Sequence, residues 1–316
     1  MAKTKKESIP VSDKVWMFTR ACNYAPEKTF LLSFKEDRSN IPQDITQILI
    51  FKPNGLAHAM ITWQAIGIAA VTKPQVSIVI VGAVGNVWEA SNGMSESVID
   101  KSDEGPASRG ILRDVRCIGD HAYACGMKRQ VYRREANGKW TRFDKGTLSP
   151  LESGEITGFN SIDGFSEDDI YAVGWGGEIW HCIKGKWQQE KSPTKLKLER
   201  VVCAADGYVY AVGQCGIIIR GKNNHWEIIE QKETDQQFWG AVWYWNRLWL
   251  ATTEAVFTLN KKNKLEKVQI TPNNEPITCG WLDANFDQMW SVGAKHLFKT
   301  TDGKCWEQVF TEEQKK

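Results

Sequence analysis

The chain has 316 residues, a formal net charge of +2, 42% hydrophobic and 25% charged residues, the profile of a soluble globular protein with a sizeable core. So small a basic excess excludes general nucleic-acid binding, which requires many phosphates to be neutralised. The length admits two ordinary domains or one large all-β domain of the barrel or propeller kind.

In chain order, residues 1–10 are Lys-rich and polar, with no apolar h-region behind them. They are expected to be a disordered basic tail and not a secretory signal. Gln47–Phe51, Pro53-Asn54-Gly55 and Leu56–Met60 read as strand, turn and strand. Ala65–Val71 and Val76–Val84 are apolar runs split by Thr72-Lys73-Pro74-Gln75; each is too short to span a bilayer and is expected to be buried strand, so no membrane contact is expected.

From there a unit recurs. Ile80-Val-Gly82, Gly85 and Val87-Trp88 form one copy; Tyr123-Ala-Cys-Gly126, Val131-Tyr132 and Gly138-Lys-Trp140 the next. Tyr171-Ala-Val-Gly174, Gly177, Glu-Ile-Trp180 and Gly185-Lys-Trp187 follow, then Tyr210-Ala-Val-Gly213, Gly216, Ile-Ile-Ile219 and Trp226. Trp249-Leu-Ala251 with Val256-Phe257 is a copy that has lost its Gly, and Trp290-Ser-Val-Gly293, Leu297-Phe298 and Gly303-Lys-Cys-Trp306 is the last. Equivalent Gly residues are spaced roughly 39 to 48 apart, one four-stranded blade per copy. The 47–60 hairpin supplies a divergent seventh. The fold class is therefore all-β, a single-domain seven-bladed β-propeller of four-stranded antiparallel blades over 11–312. Its copies lie near 15–65, 66–106, 107–145, 156–192, 197–231, 237–270 and 276–310. The chain ends are expected to meet in one blade, which removes an exposed seam. The Trp opening the fourth strand, Trp187 for example, is expected to pack between blades.

The phrase aromatic-Ala-Val-Gly-x-x-Gly-x-Ile, followed by Gly-Lys-Trp, resembles repeats of the photosystem II assembly-factor propellers and their bacterial relatives. Thr300-Thr-Asp302-Gly-Lys-Cys-Trp306 is similar to the Asp-box (BNR-type) turns of sialidase-like propellers, one residue short between Asp and Trp. The resemblance covers roughly 76–310. It implies architecture and no particular role, because such repeats occur in proteins of unrelated function.

Catalytic chemistry is not visible. The five His (58, 121, 181, 225, 296) form no H-E-x-x-H or other compact ligand set, so no metal and no cofactor is expected. No Gly-x-Ser-x-Gly elbow or phosphate loop occurs. Arg113, Arg116 and Arg129 crowd into one blade, whereas a sialidase assembles its arginines from several. The eight Cys contain no C-x-x-C; with no export signal visible, free thiols and a cytoplasmic site are expected.

In a propeller the second-to-third turns and the inter-blade loops share one face around the channel. These tips differ between copies (Lys52 and Asn54, Val84, Lys128 and Arg129, Trp175, Gln214, Glu254, Lys295 and His296) while the strands repeat, so the tips are free for recognition. The expected partner-binding set is Arg109, Lys128, Arg129, Trp175, Gln214, Trp239, Glu254 and His296, with no catalytic residue. Trp175, in a turn too small to bury an indole, either folds over a neighbouring blade or stands out as a binding anchor. In Phe238-Trp239-Gly-Ala-Val-Trp243-Tyr244-Trp245 the alternation favours core packing, with only Trp239 at the channel mouth. Seven Arg within 109–142 either pair with the six acids of 151–170 or steer an acidic partner.

The expected function is a non-catalytic scaffold, not an enzyme. It would act as a monomer that binds a protein partner on that face, as a cytosolic immunity-type inhibitor binds a toxin. A lectin-like propeller using Trp175 and Trp239, and a sialidase-like glycoside hydrolase, are the alternatives.

Overall fold

The computed structural model describes residues 16–25, 27–35, 45–53, 55–152, 154–285 and 287–311; the basic 1–10 segment and Asn54 lie outside them. Seven four-stranded antiparallel sheets, each of four strands consecutive in sequence, form the blades of a propeller. Among the described residues helix is confined to the turn Pro106–Arg109 and two 3-10 turns, Trp175–Gly177 and Gln214–Gly216. No described helix is long and apolar enough to cross a membrane.

The innermost strands are Trp16–Ala25, Ala65–Val71, Leu112–Ile118, Phe159–Ser166, Leu198–Cys203, Gly240–Tyr244 and Trp281–Asn285, in blades one to seven. Along them apolar residues alternate with others, as a period-2 strand requires. Ala21, Ile68, Val115, Ile162, Val201, Ala241 and Leu282 are all buried between blades, where removing apolar area from water supplies most of the stability. In blades one to five a β-bulge follows the first residue of this pattern, at Thr19, Ile66, Arg113, Asn160 and Glu199.

The repeated Trp of the fourth strand packs backwards onto the preceding blade. Trp187 stacks on Phe159 at 6.0 Å and donates its Nε1–H to Phe143 O of blade three at 2.7 Å. Trp226 meets Tyr171 of blade four, and Trp306 meets Trp249 of blade six. Glycine recurs after the second strand because the incoming inner strand runs against it: a Cβ on Gly174 would lie 1.9 Å from Gly158 O. Gly177 has φ +73°, and a Cβ there would meet Thr194 O at 2.3 Å, so both conformation and space require glycine.

Two expectations are corrected. Among the described residues the first and last strands do not share a blade; blade one packs flank to flank on blade seven. Phe18 N–H donates to Ala294 O at 3.3 Å, Asn23 N–H donates to Asp283 Oδ2 at 2.8 Å, and Phe18 meets Phe310 edge-on. Residues 47–60 are not the second and third strands of blade one but its third and fourth, Thr46–Lys52 paired with Gly55–Ile61. Lys52 therefore lies on the face opposite the other tips. The inner pair is Trp16–Ala25 with Lys28–Lys35, and the sequence that joins its second strand to the third contains no Gly.

Candidate docking face and channel

The strand order puts all eight predicted positions on the face of the second-to-third turns and inter-blade loops, yet they are not equivalent there. Arg109 is buried at 8% exposure, pairing with the Glu104 carboxylate and donating to Ser149 O. Arg129 is committed to Glu178 of blade four and to Ser149 Oγ, with its guanidinium over Trp180. Neither stands free as a steering charge. Lys128 Nζ donates to Glu155 O, and Glu254 accepts from Gln236 Nε2. His296 Nδ1 accepts from the Thr278 backbone N–H at 2.9 Å, so that nitrogen carries no proton.

Trp175, Trp239 and Gln214 converge on a residue the sequence did not single out. Lys197 Nζ lies 4.9 Å from the centre of the Trp175 ring and 5.9 Å from that of Trp239, bridging blades four and six in a cation–π row. Its ammonium also pairs with Glu199 at 2.7 Å, and its backbone N–H donates to Gln214 Oε1. Gln237 donates to the same Glu199 oxygen. Trp175 is half-buried with Arg113 of the neighbouring blade on its ring. Trp239 is 42% exposed, while its backbone is pinned by N–H to Ala251 O and by O to Arg200 Nε.

Below this row the channel is filled in layers. Arg20, Gly67, Asp114, Ser161, Arg200, Gly240 and Trp281 occupy equivalent positions, each paired with the residue at the same place on its second strand. Arg200 Nη1 reaches Asp114 Oδ2 at 3.0 Å, and Ser161 Oγ donates to the same oxygen at 2.9 Å. The guanidiniums of Arg20 and Arg200 both lie on the Trp281 ring, 4.2 and 4.1 Å from its centre. Two residues further, Cys22, Ala69, Arg116, Asp163, Val202, Val242 and Asp283 form the next layer. Burial pushes the Asp283 carboxyl up to about 6, with the Asn23 N–H and Arg116 opposing; Asp163 is raised for the same reason. Sequence spacing alone keeps the arginines in one blade; the structure gathers them from blades one, three and five. Aligning the inner strands across copies would have found this layer, but the bulge shifts their register by one.

The aromatic run reaches both faces. Trp243 stacks on Tyr210 inside the protein, and Trp245, 60% exposed, lies on the opposite face. The exposure of Trp245 departs from the core packing expected of this run. Trp245 borders a groove of about 430 Å³ with Trp243, Asn246 and Asp287. Among the described residues no group of His, Cys, Asp and Glu is arranged to hold a metal.

These features define a seven-bladed propeller with one aromatic, cation-lined face over a plugged channel. Structures of YCF48 bound to D1 peptide and of YCF48 from Cyanidioschyzon merolae superpose with TM-scores of 0.65 and 0.66 at 13% and 10% identity. They cover 91% and 92% of this chain and 93% and 96% of theirs, which establishes the fold and nothing more. No protein-family profile matches the chain. Over 251 residues it is 39% identical to the immune protein Tsi7 of Pseudomonas aeruginosa, spanning 79% of this chain and 81% of that protein. The chain belongs to the family of that immune protein.

Proposed function

We propose that this protein is a non-catalytic inhibitor that neutralises a toxin protein by docking it on the channel face, with Trp239, Lys197 and Trp175 at the centre. Kinship with an immune protein supports a toxin as the partner. The observation that carries the choice of face is Trp239, a large exposed indole on a backbone fixed from both sides. Rigid aromatic anchors of this kind dominate binding energetics at low entropic cost.

The test is calorimetric titration with a toxin whose lethality this chain suppresses on co-expression. Trp239→Ala should weaken binding by about 2 kcal/mol or more, and Trp245→Ala on the opposite face should leave it unchanged. The reverse result would move docking to the other face.

A further inference from the structure

The upper channel holds an excess of donors. Arg20 and Arg200 share one layer with a single carboxylate, Asp114, while above them Arg113 and Glu199 occupy the bulge positions and Glu199 is taken by Lys197. The Asp114 carboxylate is used up: Oδ2 takes the Ser161 hydroxyl and Arg200, and Oδ1 takes the Val115 N–H. Arg20 meets no carboxylate among the described residues and donates only to the carbonyls of Ile66 at 3.1 Å and Thr19 at 2.8 Å. Burial and the neighbouring Arg200 depress its guanidinium to about 9.

Three further donors lie in this layer or at the turn above it. The Nε1 of Trp281, the Nε of Arg113 and the Nε1 of Trp175 are each buried without a hydrogen-bond acceptor among the described residues. Trp281 is 6% exposed and carries two guanidiniums; Trp175 lies against Arg113. Buried donors without acceptors are costly, and each calls for an explanation, a bound anion among them. Every one of these groups is a donor or a cation, so what completes them is an anionic acceptor. In the layer beneath, Arg116 is faced by Asp163 and Asp283.

We propose that the channel mouth is a carboxylate-recognition pocket, in which an Asp or Glu side chain of the docked protein is received by Arg113 and Arg20 beside Trp281. The proposal rests on the docking reading above and names the chemistry that the partner must bring to this face. A planar carboxylate suits guanidiniums, which present parallel N–H donors. Two of the guanidiniums are already oriented on the Trp281 ring, so little freedom is lost on binding.

Acetate, titrated at constant ionic strength against the full chain, tests the chemistry without the toxin. The readouts are indole Nε1–H and arginine Nε–H resonances, assigned with Trp175→Phe, Trp281→Phe and Arg113→Lys. Saturable shifts at Trp281, Trp175 and Arg113 are expected, with none from chloride. Arg20→Gln should weaken acetate about tenfold or more while its melting temperature holds or rises, because the cation removed has no counter-charge. A response equal to that of chloride overturns the proposal. So does glucuronate binding far more tightly than acetate, which would give the pocket to a sugar acid. With the toxin, Arg20→Gln and Arg113→Gln should each lose about tenfold or more in affinity. If Trp239→Ala weakens the toxin and neither arginine variant does, the carboxylate pocket fails and the docking face stands. If none of the three weakens it, the face fails and the pocket with it.

Discussion

Arg200 of blade five and Asp114 of blade three meet across the channel, Nη1 to Oδ2 at 3.0 Å, with blade four between them. Both are buried, and Asp114 is the one carboxylate in a layer with two guanidiniums. Breaking a buried pair by removing one partner leaves an uncompensated charge and typically costs about 3–5 kcal/mol. Asp114→Ala should therefore lower urea stability by that order. Replacing both partners by apolar residues should cost clearly less. A loss under about 1 kcal/mol in the single variant, the range of exposed pairs, would show that the bridge is idle.

Trp187 tests the blade-to-blade seam. It is buried against Phe159 and Phe143 and hydrogen-bonded to Phe143 O. Trp187→Ala should cost about 3–5 kcal/mol through the cavity it leaves, without altering toxin affinity in the remaining folded protein. A folded variant of unchanged stability would show that blade four does not depend on this contact.

His181 gives stability a pH signature. Burial alone would lower its pKa, but hydrogen bonds to Glu190 at 3.0 Å and Asp169 at 2.8 Å outweigh burial and hold it above its ordinary 6.5. A raised folded pKa means that the contribution is complete below 6.5 and fades as pH climbs through the folded value. For Glu190, burial raises the carboxyl, yet the His181, Trp226 and Asn224 donors hold it below its ordinary 4.5. Its share is therefore complete above 4.5 and lost on acidification. Urea midpoints of the wild type and His181→Gln should differ most between these pH values and converge in alkali; a gap that widens above neutrality contradicts the assignment.

Thiol reactivity should split the cysteines. All eight are free, with Cys215 and Cys305 exposed and the others buried or half-buried. Burial pushes the thiols of Cys117 up to about 11 and of Cys279 to about 12, further suppressing the reactive thiolate. A disulfide-exchange reagent should modify two thiols rapidly in the native protein and eight in denaturant. Rapid native modification of more than two would mean that the seams between blades open readily.

The repeat of aromatic-Ala-Val-Gly and Gly-Lys-Trp determined by itself that this chain is a propeller. A Gly that admits a neighbouring carbonyl and a Trp that fills a seam answer needs that recur from blade to blade, so they leave the same residues in most copies. It also determined which turns share a face, since strand order fixes that once the strands are counted. What the sequence could not reveal is which tips are free. Arg109, Arg129 and Lys197 look alike in a one-dimensional reading, and only packing showed Glu104, Glu178 and Glu199 claiming them and Lys197 lying between two indoles. The channel layer was hidden for a related reason. Arg20, Asp114, Arg200 and Trp281 are far apart in the chain, one to a strand, and the first three are displaced by a bulge. Their meeting is a property of closing the ring, which brings seven inner strands to one axis and forces charges from separate blades to neutralise one another out of water.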